Sequence, residues 1–185
     1  MVYLEIKKYA VADMISSADL KKLRGKLKLT QAEFAALVNV SQKTVERWES
    51  ADSPVTGPVV TLVKMLCEHP QLEEELKIVP KEYPLRLWYM CGDDVCTIID
   101  VDEQDRRIKI KNYTGDYMFR AFGRQESPSF EDYEAFLESR CFPRDRDKMK
   151  LVLDELKLPF YDPFMIIEKT EGRMAEDDFW IRIER

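Results

Sequence analysis

Thr30-Gln31-Ala32-Glu33-Phe34-Ala35-Ala36-Leu37-Val38-Asn39-Val40-Ser41-Gln42-Lys43-Thr44-Val45-Glu46-Arg47-Trp48-Glu49 is the stretch that decides how this chain folds. Thr30 and Glu33 have the spacing of a capping box, in which the hydroxyl takes the third backbone N–H and the carboxylate reaches back to the cap. A short helix starts there and runs through Ala35 to about Val38, with Phe34 and Leu37 facing inward. Asn39-Val40-Ser41 interrupts it, and Asn39 suits the left-handed conformation that closes a helix. Ser41 then caps a further helix, Gln42 to Ser50. Its inward residues Val45 and Trp48 lie three apart, while Gln42, Lys43, Glu46 and Arg47 occupy other faces. Two short helices joined by a tight turn, the second polar at its start, describe a helix-turn-helix.

Upstream, Ser16 or Ser17 can cap a helix that opens at Ala18 and Asp19, with Leu20, Leu23 and Leu27 marking one buried stripe. The same segment carries Lys21, Lys22, Arg24, Lys26 and Lys28 with no acid from Lys21 to Lys28. Such a run reads either as a solvated helix face or as a patch facing phosphates. Downstream, Ser53-Pro54-Val55-Thr56-Gly57-Pro58 is followed by Val59, Val60, Leu62, Val63 and Leu66, and then by His69-Pro70.

The quoted stretch resembles the Cro/repressor (XRE) family of helix-turn-helix regulators. The resemblance covers roughly residues 18–68 and includes Gln31 opening one helix, the small Ala35, the Thr44-Val45 pair and Trp48-Glu49 ending the next. Asn39 stands where glycine is usual and tolerates the same backbone. The segment from Ser53 to Pro70 is similar to the branch containing HigA- and MqsA-type antitoxins, which implies a fourth helix closing the domain. MqsA-type proteins also carry a cysteine-rich zinc domain. Here Cys67, Cys91, Cys96 and Cys141 include no C-x-x-C pair and His69 is the single histidine, so only the DNA-binding half of that comparison carries over.

The resemblance implies roles for individual residues. A helix of this kind enters the major groove with its first residues against base edges. Gln42, Lys43 and Arg47 are the expected base readers: Gln can pair with adenine, and Lys or Arg can donate to guanine. Gln31, beside the free N–H groups at the start of its helix, is expected to grip a phosphate, with Ser41, Thr44 and Lys28 adding backbone contacts. Arg24 and Glu49 fall where the family often carries a buried ion pair joining two helices. One such domain contacts only about half an operator, so a homodimer on a palindromic double-stranded site is the expected arrangement.

The chain has 185 residues, 45% hydrophobic and 35% charged, enough for one or two small domains. No apolar run approaches the roughly 18 residues a spanning helix needs, and Met1 to Ile15 lacks a signal-peptide pattern. A cytoplasmic protein with no membrane association is therefore expected. The net charge of −6 argues against nucleic acid when taken whole, but it divides into +2 for the first 70 residues and −8 for the remainder. The basic surplus sits with the helix-turn-helix. An acidic module would itself be repelled by phosphate, which suits it to a protein partner or a sensing role.

Gln71 to Glu82, with Glu73, Glu74 and Glu75 and with Pro80 and Pro84 nearby, reads as an acidic helix end and linker. The pattern then changes to strands. Leu85 to Met90, a turn at Cys91-Gly92-Asp93-Asp94, Val95 to Val101, and Arg107 to Lys111 form a small antiparallel meander. Ser129 caps a helix from Phe130 to Arg140 with Tyr133, Phe136 and Leu137 inward. A second helix, Asp145 to Leu156, carries Met149, Val152, Leu153 and Leu156. Asp162-Pro163 opens a short helix, and Phe179-Trp180-Ile181 ends the chain extended.

Within this region, Phe136 to Arg146 together with Asp177 to Ile181 resembles a segment found near the N-terminus of HipA-related toxin kinases, over about 45 residues. No Gly-rich phosphate loop, H-R-D or D-F-G sequence accompanies it. Asp93/Asp94 and Asp177/Asp178 read as turn or cap residues rather than a metal or acid–base pair. Cys141 reads as a packed thiol, and no histidine is placed to activate a nucleophile.

The expected architecture is an all-α helix-turn-helix domain of four to five helices over 1–70, a linker over 71–83, and a small α+β domain with an antiparallel meander and two to three helices over 84–185. The expected function is a sequence-specific DNA-binding regulator, an antitoxin and autorepressor of a toxin–antitoxin operon. Its C-terminal domain would bind a toxin or other product of the adjacent gene. No cofactor, metal or catalysis is expected. The competing readings are an enzyme targeted to DNA by its helix-turn-helix and a stand-alone phage-type repressor.

Overall fold

Hydroxyl caps divide the first part of the chain into short helices. A computed structural model describes residues 10–144 and 147–185, and its contacts gather into two units that divide after Lys77. In the first unit, β1 (Met14–Ile15) precedes α1 (Ser17–Lys26), α2 (Gln31–Leu37) and α3 (Gln42–Ser50). Then come β2 (Val55–Thr56), α4 (Pro58–Glu68) and α5 (Gln71–Leu76). Ser16 Oγ accepts the Asp19 N–H at 3.0 Å, and Thr30 and Glu33 form the reciprocal capping box at 3.2 and 2.7 Å. Ser41 Oγ accepts the Thr44 N–H at 3.2 Å. Each bond satisfies a donor that the first turn of a helix leaves free.

Asn39 closes the turn between α2 and α3 at φ +54°, a backbone that asparagine tolerates better than most residues. The helices pack around Leu20, Leu23, Phe34, Ala35, Val45, Val55 and Val63, with Leu27, Val38, Val40 and Trp48 at the margin. Leu37, expected inward, is only half-buried and lies outside this cluster. The unit is not purely helical. Met14 pairs with Thr56 and Ile15 with Val55 in a two-residue antiparallel ribbon, too short to leave a period-two signal. Residues 71–76, whose acids suggested a helix end and linker, form α5 as a separate helix after His69-Pro70.

The second unit is built on β3 (Leu85–Cys91), β4 (Asp94–Asp102), β5 (Arg107–Asn112) and β6 (Phe179–Glu184), with α6 (Phe130–Ser139), α7 (Met149–Leu156) and α8 (Pro163–Thr170). A short 3₁₀ turn covers Tyr117–Phe119. The antiparallel sheet runs β5-β4-β3-β6, so the last strand adds beside the first rather than extending the meander. Leu87 faces Ile99 on one side and Ile183 on the other. Leu87, Tyr89, Ile99, Val101 and Ile181 share one core with Tyr133, Phe136 and Leu137 of α6 and Ile166 and Ile167 of α8. α7 starts at Met149, after Lys148 in a left-handed conformation at φ +62°, rather than at Asp145. Asp145 and Arg146, where that helix was expected to begin, lie outside the described residues.

Candidate nucleic-acid interface

The cap that starts α3 also sets out its first side chains. Gln42 and Lys43 are exposed immediately after Ser41, and Arg47 is exposed one turn on. Gln42 Nε2 donates to Glu46 Oε1 at 2.9 Å, which lays the amide along the helix. Ser41 Oγ and Thr44 Oγ1 lie 2.9 Å apart and share a hydrogen bond. Ser41, Gln42, Lys43 and Thr44 thus form one polar end, made from consecutive residues, and Val45 behind them is fully buried.

Behind this end, Arg24 of α1 meets Glu49 of α3 in a two-pronged pair. Nε to Oε1 is 2.7 Å and Nη2 to Oε2 is 2.9 Å. The third arm of the guanidinium, Nη1, donates to the Leu29 carbonyl at 2.8 Å, while the Leu29 N–H donates to the Arg24 carbonyl at 3.2 Å. Arg24 therefore pins both the end of α3 and the turn leading into α2. The guanidinium holds the Glu49 carboxyl below its ordinary range, although burial works against this, and Glu49 in turn raises Arg24.

Gln31 joins the same group, donating from Nε2 to Glu49 Oε2 at 2.8 Å. One amide hydrogen is used there. Lys28 is exposed in the turn after α1, in a left-handed conformation at φ +57°.

Besides the Gln31–Glu49 bond, two further contacts of this unit were not foreseen. Ser17, weighed as an alternative cap, instead donates from Oγ to the Ala51 carbonyl at 2.6 Å and so ties α1 to the residue that ends α3. Glu46 holds Gln42, a link that its four-residue spacing alone could have suggested.

Two arginine–carboxylate pairs tie the second unit together. Arg86 and Asp100 pair at 2.6 and 2.8 Å with side chains only 4% and 5% exposed. Arg86 also donates to the Val79 carbonyl, and the Glu82 N–H donates to Asp100. Arg140 binds Asp177 at 2.7 and 3.0 Å and donates as well to the carbonyls of Gly172 and Phe179. This pairing holds the Asp177 carboxyl below its usual range. Burial pushes the Cys141 thiol up to about 12, which makes it a poor nucleophile. Among the described residues no three metal-ligating side chains come together, and no helix is long and apolar enough to cross a membrane.

The first unit is, by its geometry, a helix-turn-helix module. Its residues 1–77 match the family model described as "Antitoxin component of bacterial toxin-antitoxin system, MqsA". Antitoxin HigA-2 of Vibrio cholerae is 32% identical over 72 residues, which span 37% of this chain and 69% of that relative. The chain belongs to this family of helix-turn-helix antitoxins. The second unit lies outside the matched model.

Proposed function

We propose that the chain is a sequence-specific DNA-binding antitoxin that represses its own operon and uses its second unit to engage a protein partner. The observation that carries the reading is the polar start of α3, with Gln42 and Lys43 exposed and the helix behind them braced by Arg24, Gln31 and Glu49. A braced helix loses little conformational freedom on entering a groove. Gln42, Lys43 and Arg47 read base edges, while Gln31, Ser41, Thr44 and Lys28 contact the backbone. Two copies bind the halves of a palindromic operator, in the cytoplasm. The role is regulatory rather than enzymatic, in keeping with the family.

The −8 charge of the residues after Pro70 supports a protein partner over a second DNA contact. The test is a gel shift of the intact chain on the DNA upstream of its own gene across a salt series. Binding should weaken steeply with salt, because each neutralised phosphate releases counterions. An intact chain that shifts none of this DNA at low salt overturns the DNA-binding part. Co-purification with the product of the adjacent gene tests the partner.

A further inference from the structure

A groove of about 600 Å³ opens between α6 and α8. Its walls carry Glu103, Glu131, Glu134, Glu138 and Asp162, and two aromatic rings, Phe130 and Phe164. The resident cations are few and already engaged. Arg106 spans Glu131 and Glu134 at 3.1 Å each, and Arg144, which lines the groove, pairs with Glu138 at 2.6 Å. Among the described residues, Glu103 and Asp162 face no cation at ion-pairing distance, the Asp162 carboxylate accepting the Met165 N–H that caps α8.

A second observation is independent of the acids. Tyr133, 2% exposed, also lines this groove, and its hydroxyl is buried with no hydrogen-bond partner. A buried polar atom left without a partner is costly, so a native structure that keeps one calls for an occupant or a reason. Glu103, Glu134 and Asp162 line the same groove as Tyr133.

We infer that this groove takes an arginine side chain from a basic segment of a partner protein. This deepens the partner-binding role proposed above and rests on it. Every unpaired group in the groove can accept a hydrogen bond, and a guanidinium is a planar set of five donors. The aromatic walls suit the same group: the Arg106 guanidinium already lies 4.3 Å from the centre of the Phe130 ring. One arginine fills only part of the volume, which leaves room for its neighbours in a short peptide. The Tyr133 hydroxyl comes within reach through rotamer changes of the kind common at interfaces on binding.

The test uses the intact chain and a fluorescein-labelled blocked peptide, Gly-Arg-Arg-Gly, followed by anisotropy. The peptide should bind and weaken with salt, while its Gly-Glu-Glu-Gly counterpart should not bind. Tyr133→Phe should weaken binding about tenfold, the worth of a hydrogen bond to a charged group. Its melting temperature should not fall, since the lost hydroxyl had no partner. Glu103→Gln should weaken binding several-fold without unfolding the chain. Amide shifts on peptide addition should centre on α6 and α8. Equal binding by wild type and both variants, or shifts elsewhere, overturns the proposal. If the adjacent gene product co-purifies equally with wild type and Tyr133→Phe, the groove assignment fails and the partner role stands. If no partner co-purifies yet the peptide binds as described, the partner role fails and the groove stands.

Discussion

Arg24–Glu49 in the first unit and Arg86–Asp100 in the second are both arginine–carboxylate pairs, and they are built for different ends. Arg24–Glu49 joins two helices through residues 25 positions apart, with Arg24 still 17% exposed, and its spare hydrogen bonds go to Leu29 and Gln31. Arg86–Asp100 is sealed within the second unit, and its spare bonds go to the backbone of Val79 and Glu82. The first pair braces the helix proposed to read DNA, whereas the second closes a strand pair over a loop. A buried charge that loses its partner is worse than no charge, so both pairs make sensitive probes.

The largest effect is expected from Asp100→Ala, which strands Arg86 in the interior and should cost about 3–5 kcal/mol. Circular dichroism melting measures it, and DNA binding at a temperature where the variant is folded should be intact. Arg24→Ala should cost about 3 kcal/mol, toward the lower end because one partner is partly solvated. Unlike the first variant, it should also weaken the gel shift, since the start of α2 and the end of α3 lose their common tie. An Arg24→Ala chain with unchanged melting would erase the distinction between the pairs.

Acid should sharpen the comparison next. The Glu49 and Asp177 carboxyls have folded pKa values lowered by Arg24 and Arg140. Their contribution is therefore complete above the unfolded carboxylate values near pH 4 and is lost as pH falls through the depressed folded ones. Melting temperature should drop below about pH 4.5, and Asp177→Asn should flatten part of that slope. A wild-type melting temperature level from pH 7 to pH 3 would contradict it. The smallest effect on stability is expected from Lys43→Ala, an exposed position whose loss should leave melting unchanged while lowering operator affinity by about 1–3 kcal/mol in the gel shift.

What could be read in advance follows the distance over which each feature is encoded. Ser16, Thr30, Ser41 and Ser129 each cap a helix through a residue three positions on, so the hydroxyl and its target stand together in the sequence. The β3–β4 turn was equally local, with Gly92 at φ +56°. The exposed places of Gln42 and Lys43, proposed above to read bases, were legible because they follow directly from one of these caps. By contrast, β1 meets β2 across some 40 residues, and β6 reaches β3 across about 90. The Arg140 contacts with Gly172 and Asp177 span 32 and 37 positions. Nothing in the periodicity of either segment names its partner. The unpartnered Tyr133 hydroxyl was hidden for a related reason: Tyr133 was correctly read as inward, but periodicity assigns a face and says nothing of where its polar tip ends.

The position of β6 bears on synthesis. The buried contacts of the first core involve residues 20–63, whereas β3 cannot gain its second neighbour until residues 179–184 have been made. On the ribosome, which releases a chain from its N-terminus, the helix-turn-helix core is complete while β3 is still an edge strand. The nascent chain thus completes its helix-turn-helix core before β3 has found its second partner.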